Sequence, residues 1–130
     1  MTQPIELILL RQWSTYQAIP VWIIDINGDL LFYNEAAEAT LGIRYEEAGA
    51  IHASEMADIF QTTALDGSAI PSEDLPIVVA LRDRHPAHGE LRIKAGDGAA
   101  RHLHITAFPV EGLSDRHLGA VAMFWEEPIP

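Results

Sequence analysis

The chain has 130 residues, 48% of them hydrophobic, which is the length and apolar content of one domain with a single buried core. Its 8 Lys and Arg stand against 19 Asp and Glu, a formal net charge of −11 that repels phosphate backbones and anionic lipid heads and argues against nucleic acid and membranes as partners. With no cysteine, disulfides, thiolate metal sites, cysteine nucleophiles and covalent flavin photochemistry are excluded together.

The opening "MTQPIELILL" has no basic stretch ahead of its apolar residues and carries Glu6 among them. No apolar run approaches the ~18 residues a bilayer span needs, so a soluble, cytoplasmic protein is expected. Residues 4 to 18 place Ile5, Ile8, Leu9, Trp13 and Tyr16 on one helical stripe, with Pro4 suited to a first turn, while Leu7 and Leu10 fall off that stripe. A helix apolar on nearly all sides needs cover on more than one, which predicts packing on its own sheet and also on a partner.

"IPVWIIDI" reads as a strand apolar on both faces. Asn27-Gly28-Asp29 supplies a tight hairpin turn, and "LLFY" returns as a second strand. Asn34 can cap a helix beginning at Glu35, and Gly42 sits where a left-handed terminating residue is wanted. "SEMADIF" predicts a short helical turn with Met56, Ile59 and Phe60 on one side. "IPSEDLPIVVALRDRHP" predicts the longest internal helix, with Ser72 as cap, Pro76 in the first turn and Pro86 as breaker. "GELRIKAG" and "RHLHITAF" alternate around an Asp97-Gly98 turn, and "LGAVAMFW" is again apolar on both faces. Doubly apolar strands need cover above and below, which places the first and last strands side by side in mid-sheet. The intervening helices would roof one face and the N-terminal helix the other.

"IIDINGDLLFYNEAAEATLGI" at 23 to 43 and "DGSAIPSEDLPIVVALRD" at 66 to 83, in this order, resemble the two signature segments of the PAS domain family. The resemblance covers about residues 18 to 126. It implies an α+β fold with a five-stranded antiparallel sheet in the order 2-1-5-4-3, helices on one face and the N-terminal helix on the other. The expected division is residues 1–18 as a helix serving as lid or dimer element, 19–127 as the PAS domain and 128–130 as a tail. If the chain is complete, "FWEEPIP" leaves no attached output domain and signalling proceeds by association; if it is a fragment, the effector has been cut away.

The family perceives a ligand, cofactor or redox change between sheet and helices and passes it to a dimer partner or an effector. Matched onto its cavity-facing positions are Trp22 and Ile24 of the first strand, Leu103, Ile105 and Ala107 of the fourth, and Ala120, Ala122 and Phe124 of the fifth; Phe32, Leu75 and Val79 would close the space. Such a lining suits a small apolar ligand, or no ligand where Trp22 fills the void, and the filled core carries more weight. Haem is disfavoured, because the internal helix expected from Ser72 to about Asp83 has no histidine and the nearest is His85 at its end. No cofactor is therefore expected. Val121, Met123 and Trp125 on the opposite strand face, with the helical stripe of Ile5, Ile8, Leu9, Trp13 and Tyr16, form the candidate homodimer interface.

Two further groups are candidates for chemistry. His102-x-His104 puts two imidazoles on one strand face, opposite the cavity, but without a clear third ligand they read as surface or interface histidines and no metal is expected. Asp25, the one carboxylate in an apolar strand, reads as a turn residue rather than a general base. No phosphate-cradling loop or nucleophile elbow is present, and an enzyme would need an ionisable group in a cavity lined by none. The expectation is a non-enzymatic sensor or regulator of the bacterial type, binding a small apolar ligand or a partner protein. The alternative is a ligand-free interaction and dimerisation domain with a filled core.

Overall fold

The computed structural model describes residues 3–127; the expected tail at 128–130 lies outside the described residues. Strands β1 (Val21–Asp25) and β2 (Leu30–Tyr33) form the expected hairpin. Gly28 takes the positive φ of 87° at the turn, and the Asp25 carboxylate accepts the amides of Asn27 and Asp29 at 2.9 and 3.0 Å, the turn role read from the sequence. Helix α2 (Glu35–Leu41) follows at once, its N-terminus capped by the Asn34 side chain and its C-terminus closed by Gly42 at φ 73°. A Cβ on Gly42 would stand 2.7 Å from the Asp97 backbone nitrogen, so glycine is required there for space as well as for conformation.

The middle of the chain is more broken than its sequence pattern suggests. A short helix α3 (Tyr45–Ala48) was not anticipated. Helix α4 (Met56–Ile59) follows a 3₁₀ turn at Ala53–Glu55; its Ile59 is exposed, whereas Phe60 beside it is buried. The long helix expected from Ser72 is a 3₁₀ turn, Ser72–Asp74, and a separate α5 (Pro76–Asp83). Leu75 between them is extended, with φ −66° and ψ 140°. The ring of Pro76 clashes with a helical conformation at the residue before it, so the helix begins at the proline and cannot run through Leu75. The Ser72 hydroxyl is thereby free of capping duty and accepts the amide of Ala57 at 3.0 Å, tying the two turns together.

Strands β3 (Ala87–Lys94), β4 (Ala100–Glu111) and β5 (His117–Glu126) complete an antiparallel sheet in the order β2-β1-β5-β4-β3. The first and last strands are adjacent, Val21 opposite Met123 and Asp25 opposite Gly119. Two apolar clusters flank the sheet. The larger, on the side of α2 to α5, contains Trp22, Ile24, Leu103, Ala120 and Phe124; the smaller contains Leu7, Val21, Ile23, Leu118 and Val121. Leu7 belongs to helix α1 (Ile5–Thr15), which covers that second face.

The rotation of α1 decides which of its apolar faces the sheet covers. Leu7 and Ser14 are buried and Leu10 packs on the smaller cluster, so the residues judged off the stripe face the sheet. Ile5, Ile8, Leu9, Trp13 and Tyr16 all point away and are exposed, Tyr16 to 81%. Positions 7, 10 and 14 recur at helical spacing just as the bulkier set does, and the small side chain of Ser14 allows close approach to β1.

Candidate functional site

Between the sheet and α4 and α5 lies a partly open apolar cavity of about 70 Å³. Strand alternation puts Trp22 on it from β1, Leu91 and Ile93 from β3, Leu103 and Ile105 from β4, and Ala122 and Phe124 from β5. Six of the eleven residues matched to the lining therefore reach it: Trp22, Leu75, Leu103, Ile105, Ala122 and Phe124. Ile24, Ala107 and Ala120 lie in the same buried cluster without lining the cavity.

Two assignments are corrected. Phe32 sits on the other side of the sheet, packed on the smaller cluster and under the Arg11 guanidinium, 4.6 Å from its ring centre. The β1–β2 register pairs Phe32 with Ile23 and Tyr33 with Trp22, so Tyr33 is the residue of β2 on the cavity side. Val79 is only half-buried and absent from the lining, because α5 begins at Pro76 and turns Pro76 and Ile77 inward instead. Phe60, which its sequence pattern marks only as one side of a short turn, is buried and helps close the cavity.

The interior is filled with rings. Trp22 stacks on Tyr33 with centroids 5.1 Å apart and planes 13° from parallel, and meets Phe60 edge-on at 6.1 Å. The Tyr33 hydroxyl donates to the carbonyl of Ile43 at 2.8 Å. Burial, reinforced by Glu38, Tyr45 and Glu47, pushes its phenol up to about 12. The Trp22 indole N–H is buried and has no hydrogen-bond partner among the described residues. A buried donor left unpaired costs about 1–3 kcal/mol.

On the opposite face, Val121 is fully buried beneath α1 and cannot contribute to an interface with another molecule, which removes it from the expected interface residues. Met123 is half-buried and Trp125 is 48% exposed. Trp125 stacks on His104 at 5.6 Å and 11°, and His104 on His102 at 5.4 Å and 21°. The third ligand that the sequence did not offer comes from the neighbouring strand: Glu90 is the register partner of His104, and its carboxylate lies 2.8 Å from His102 Nε2. Helix α5 carries no histidine, and His85 follows it in an exposed loop.

The PAS fold family matches residues 15–125, and the chain belongs to that family. No relative among curated proteins matches it. The PAS domain of a Colwellia psychrerythraea protein superposes with a TM-score of 0.60 at 15% identity, covering 93% of this chain and 96% of that one. The PAS domain of nitrogen regulation protein NR(II) from Vibrio parahaemolyticus gives 0.64 at 15% identity, covering 92% and 98%. The Rhodobacter sphaeroides LOV protein gives 0.65 at 12% identity, covering 96% of this chain and 68% of its own. These likenesses establish the fold. PAS domains are typical sensory and signalling modules, and no helix among the described residues is long and apolar enough to cross a membrane.

Proposed function

We propose that this chain is a non-enzymatic regulatory PAS module that signals by association, first of all with a second copy of itself. The observation that carries this reading is the outer side of α1, where Ile5, Ile8, Leu9, Trp13 and Tyr16 are all exposed. The helix is already anchored through Leu7 and Leu10, so this apolar row is surplus to the fold. A second chain laid against the row and against Trp125 would remove it from water. The cavity supports the same reading, since about 70 Å³ is far below the roughly 300–1,000 Å³ of pockets that take drug-sized ligands.

The test is the solution mass of the Trp13→Ala/Trp125→Ala double variant. The parent is expected to sediment as a dimer and the variant as a monomer with an unchanged far-ultraviolet spectrum; a monomeric parent, or a variant with the parent's mass, rejects the dimer.

One observation favours a second reading, in which the module senses a very small guest. The unpaired Trp22 N–H belongs to a residue that lines the cavity, and a guest with one acceptor atom would satisfy it. Native mass spectrometry of freshly purified protein distinguishes the two, since bound mass supports the guest and bare chain mass the filled interior.

A further inference from the structure

We infer that Glu90, His102 and His104 form a binding site for a divalent transition-metal ion of the zinc class, on the sheet face opposite the cavity. The inference stands apart from self-association and needs neither the dimer nor a cavity ligand.

The strand period places His102 and His104 on the same side of β4, and antiparallel pairing sets Glu90 of β3 directly opposite His104. One donor atom from each of the three lies within 4.8 Å of the others. Nε2 of His102 is 2.8 Å from one Glu90 oxygen, and Nδ1 of His104 is 3.8 Å from the other. Donors at 2.0–2.2 Å around a tetrahedral ion are about 3.3 Å apart, between those two values, so small side-chain rotations suffice to form the site.

Further features suit an ion rather than a mere hydrogen-bonded cluster. Both imidazoles are about a quarter exposed, sheltered enough to be oriented and open enough to admit an ion. Their orientation is fixed by stacking, His102 on His104 and His104 on the Trp125 indole. Glu127 contacts the Nε2 of His104, the ring nitrogen turned away from Glu90, and so can hold that ring in the tautomer that leaves Nδ1 free for the ion. Two imidazoles with a carboxylate favour zinc, copper, nickel or cobalt; calcium and magnesium prefer oxygen alone, and softer ions require the thiolates this chain lacks.

The experiment is calorimetric titration of Zn²⁺ into the full chain, untagged and freed of metal by chelation. One ion per chain with micromolar or tighter affinity is expected. The His102→Ala/His104→Ala double variant should lose saturable binding, and the isosteric Glu90→Gln variant should bind at least ~10-fold more weakly. Cu²⁺ should quench the parent's tryptophan fluorescence at the same stoichiometry, and Trp125→Phe should remove most of that quench while keeping Zn²⁺ bound. Absence of saturable binding by the parent, or an affinity unchanged in both ligand variants, overturns the site. Because Glu90→Gln preserves shape, it decides the matter even if the double variant fails to fold.

Discussion

Asn34 is the residue on which most local geometry converges. Its side-chain oxygen accepts the amides of Val21 and Ala37, each at 3.0 Å, and its amide donates to the carbonyls of Ser14 and Ile19, each at 2.9 Å. One buried side chain thus joins the end of α1, the segment leading into β1, β1 itself and the start of α2. Replacing it by alanine removes a helix cap and strands three buried backbone groups and a fourth that is partly buried, so Asn34→Ala should cost about 2–4 kcal/mol in urea unfolding. The amides of residues 5–15 should also exchange faster with solvent, and a variant within 1 kcal/mol of the parent would contradict this role. Its place before Glu35 revealed the cap. The other contacts depend on chain returning from 13 to 20 positions away, which no local pattern encodes.

At the scale of the element, α1 shows how a periodic pattern can find a helix without saying which of its apolar faces meets the sheet. Tyr16 and Trp13 dominate the pattern by size, yet burial went to Leu7 and Ser14, with Leu10 partly buried beside them. With apolar residues on nearly every side, hydropathy could not choose between faces; the small Ser14, its carbonyl bound by Asn34, could. Leu7→Ala should therefore destabilise the fold by about 2–4 kcal/mol, whereas Ile8→Ala should change the monomer's stability by less than about 0.5 kcal/mol. Equal losses in chemical denaturation would mean that the helix is seated otherwise. The division of the expected long helix at Leu75 was legible, since the residue before a proline avoids helical geometry. The pairing of Glu90 with His104 was not, because register across two alternating strands with a flexible turn is fixed only by the assembled sheet.

For the molecule as a whole, the adjacency of β1 and β5 was readable because two doubly apolar strands must be covered on both faces. The cavity's contents were less so: one step of register exchanged Phe32 for Tyr33 and brought a hydroxyl to the inner side. That exchange has a global signature. Tyr33 titrates in the folded protein at about 12, raised from its ordinary 10.0 chiefly by burial. As pH rises the unfolded chain releases this proton first, so stability fully present below pH 10 is lost as pH climbs through about 12. Denaturant midpoints followed alongside phenolate absorbance should fall across that interval; a midpoint that stays level there, with all three tyrosines ionising near 10, would contradict the burial.

The sheet order also governs how the protein comes into being. Val21 finds its partner Met123 about a hundred residues further along the chain. A ribosome must therefore synthesise nearly the whole domain before the slot between β1 and β4 can be filled. Until then the hairpin of β1 and β2 presents an open apolar edge, the natural point at which a chaperone or a neighbouring nascent chain would engage.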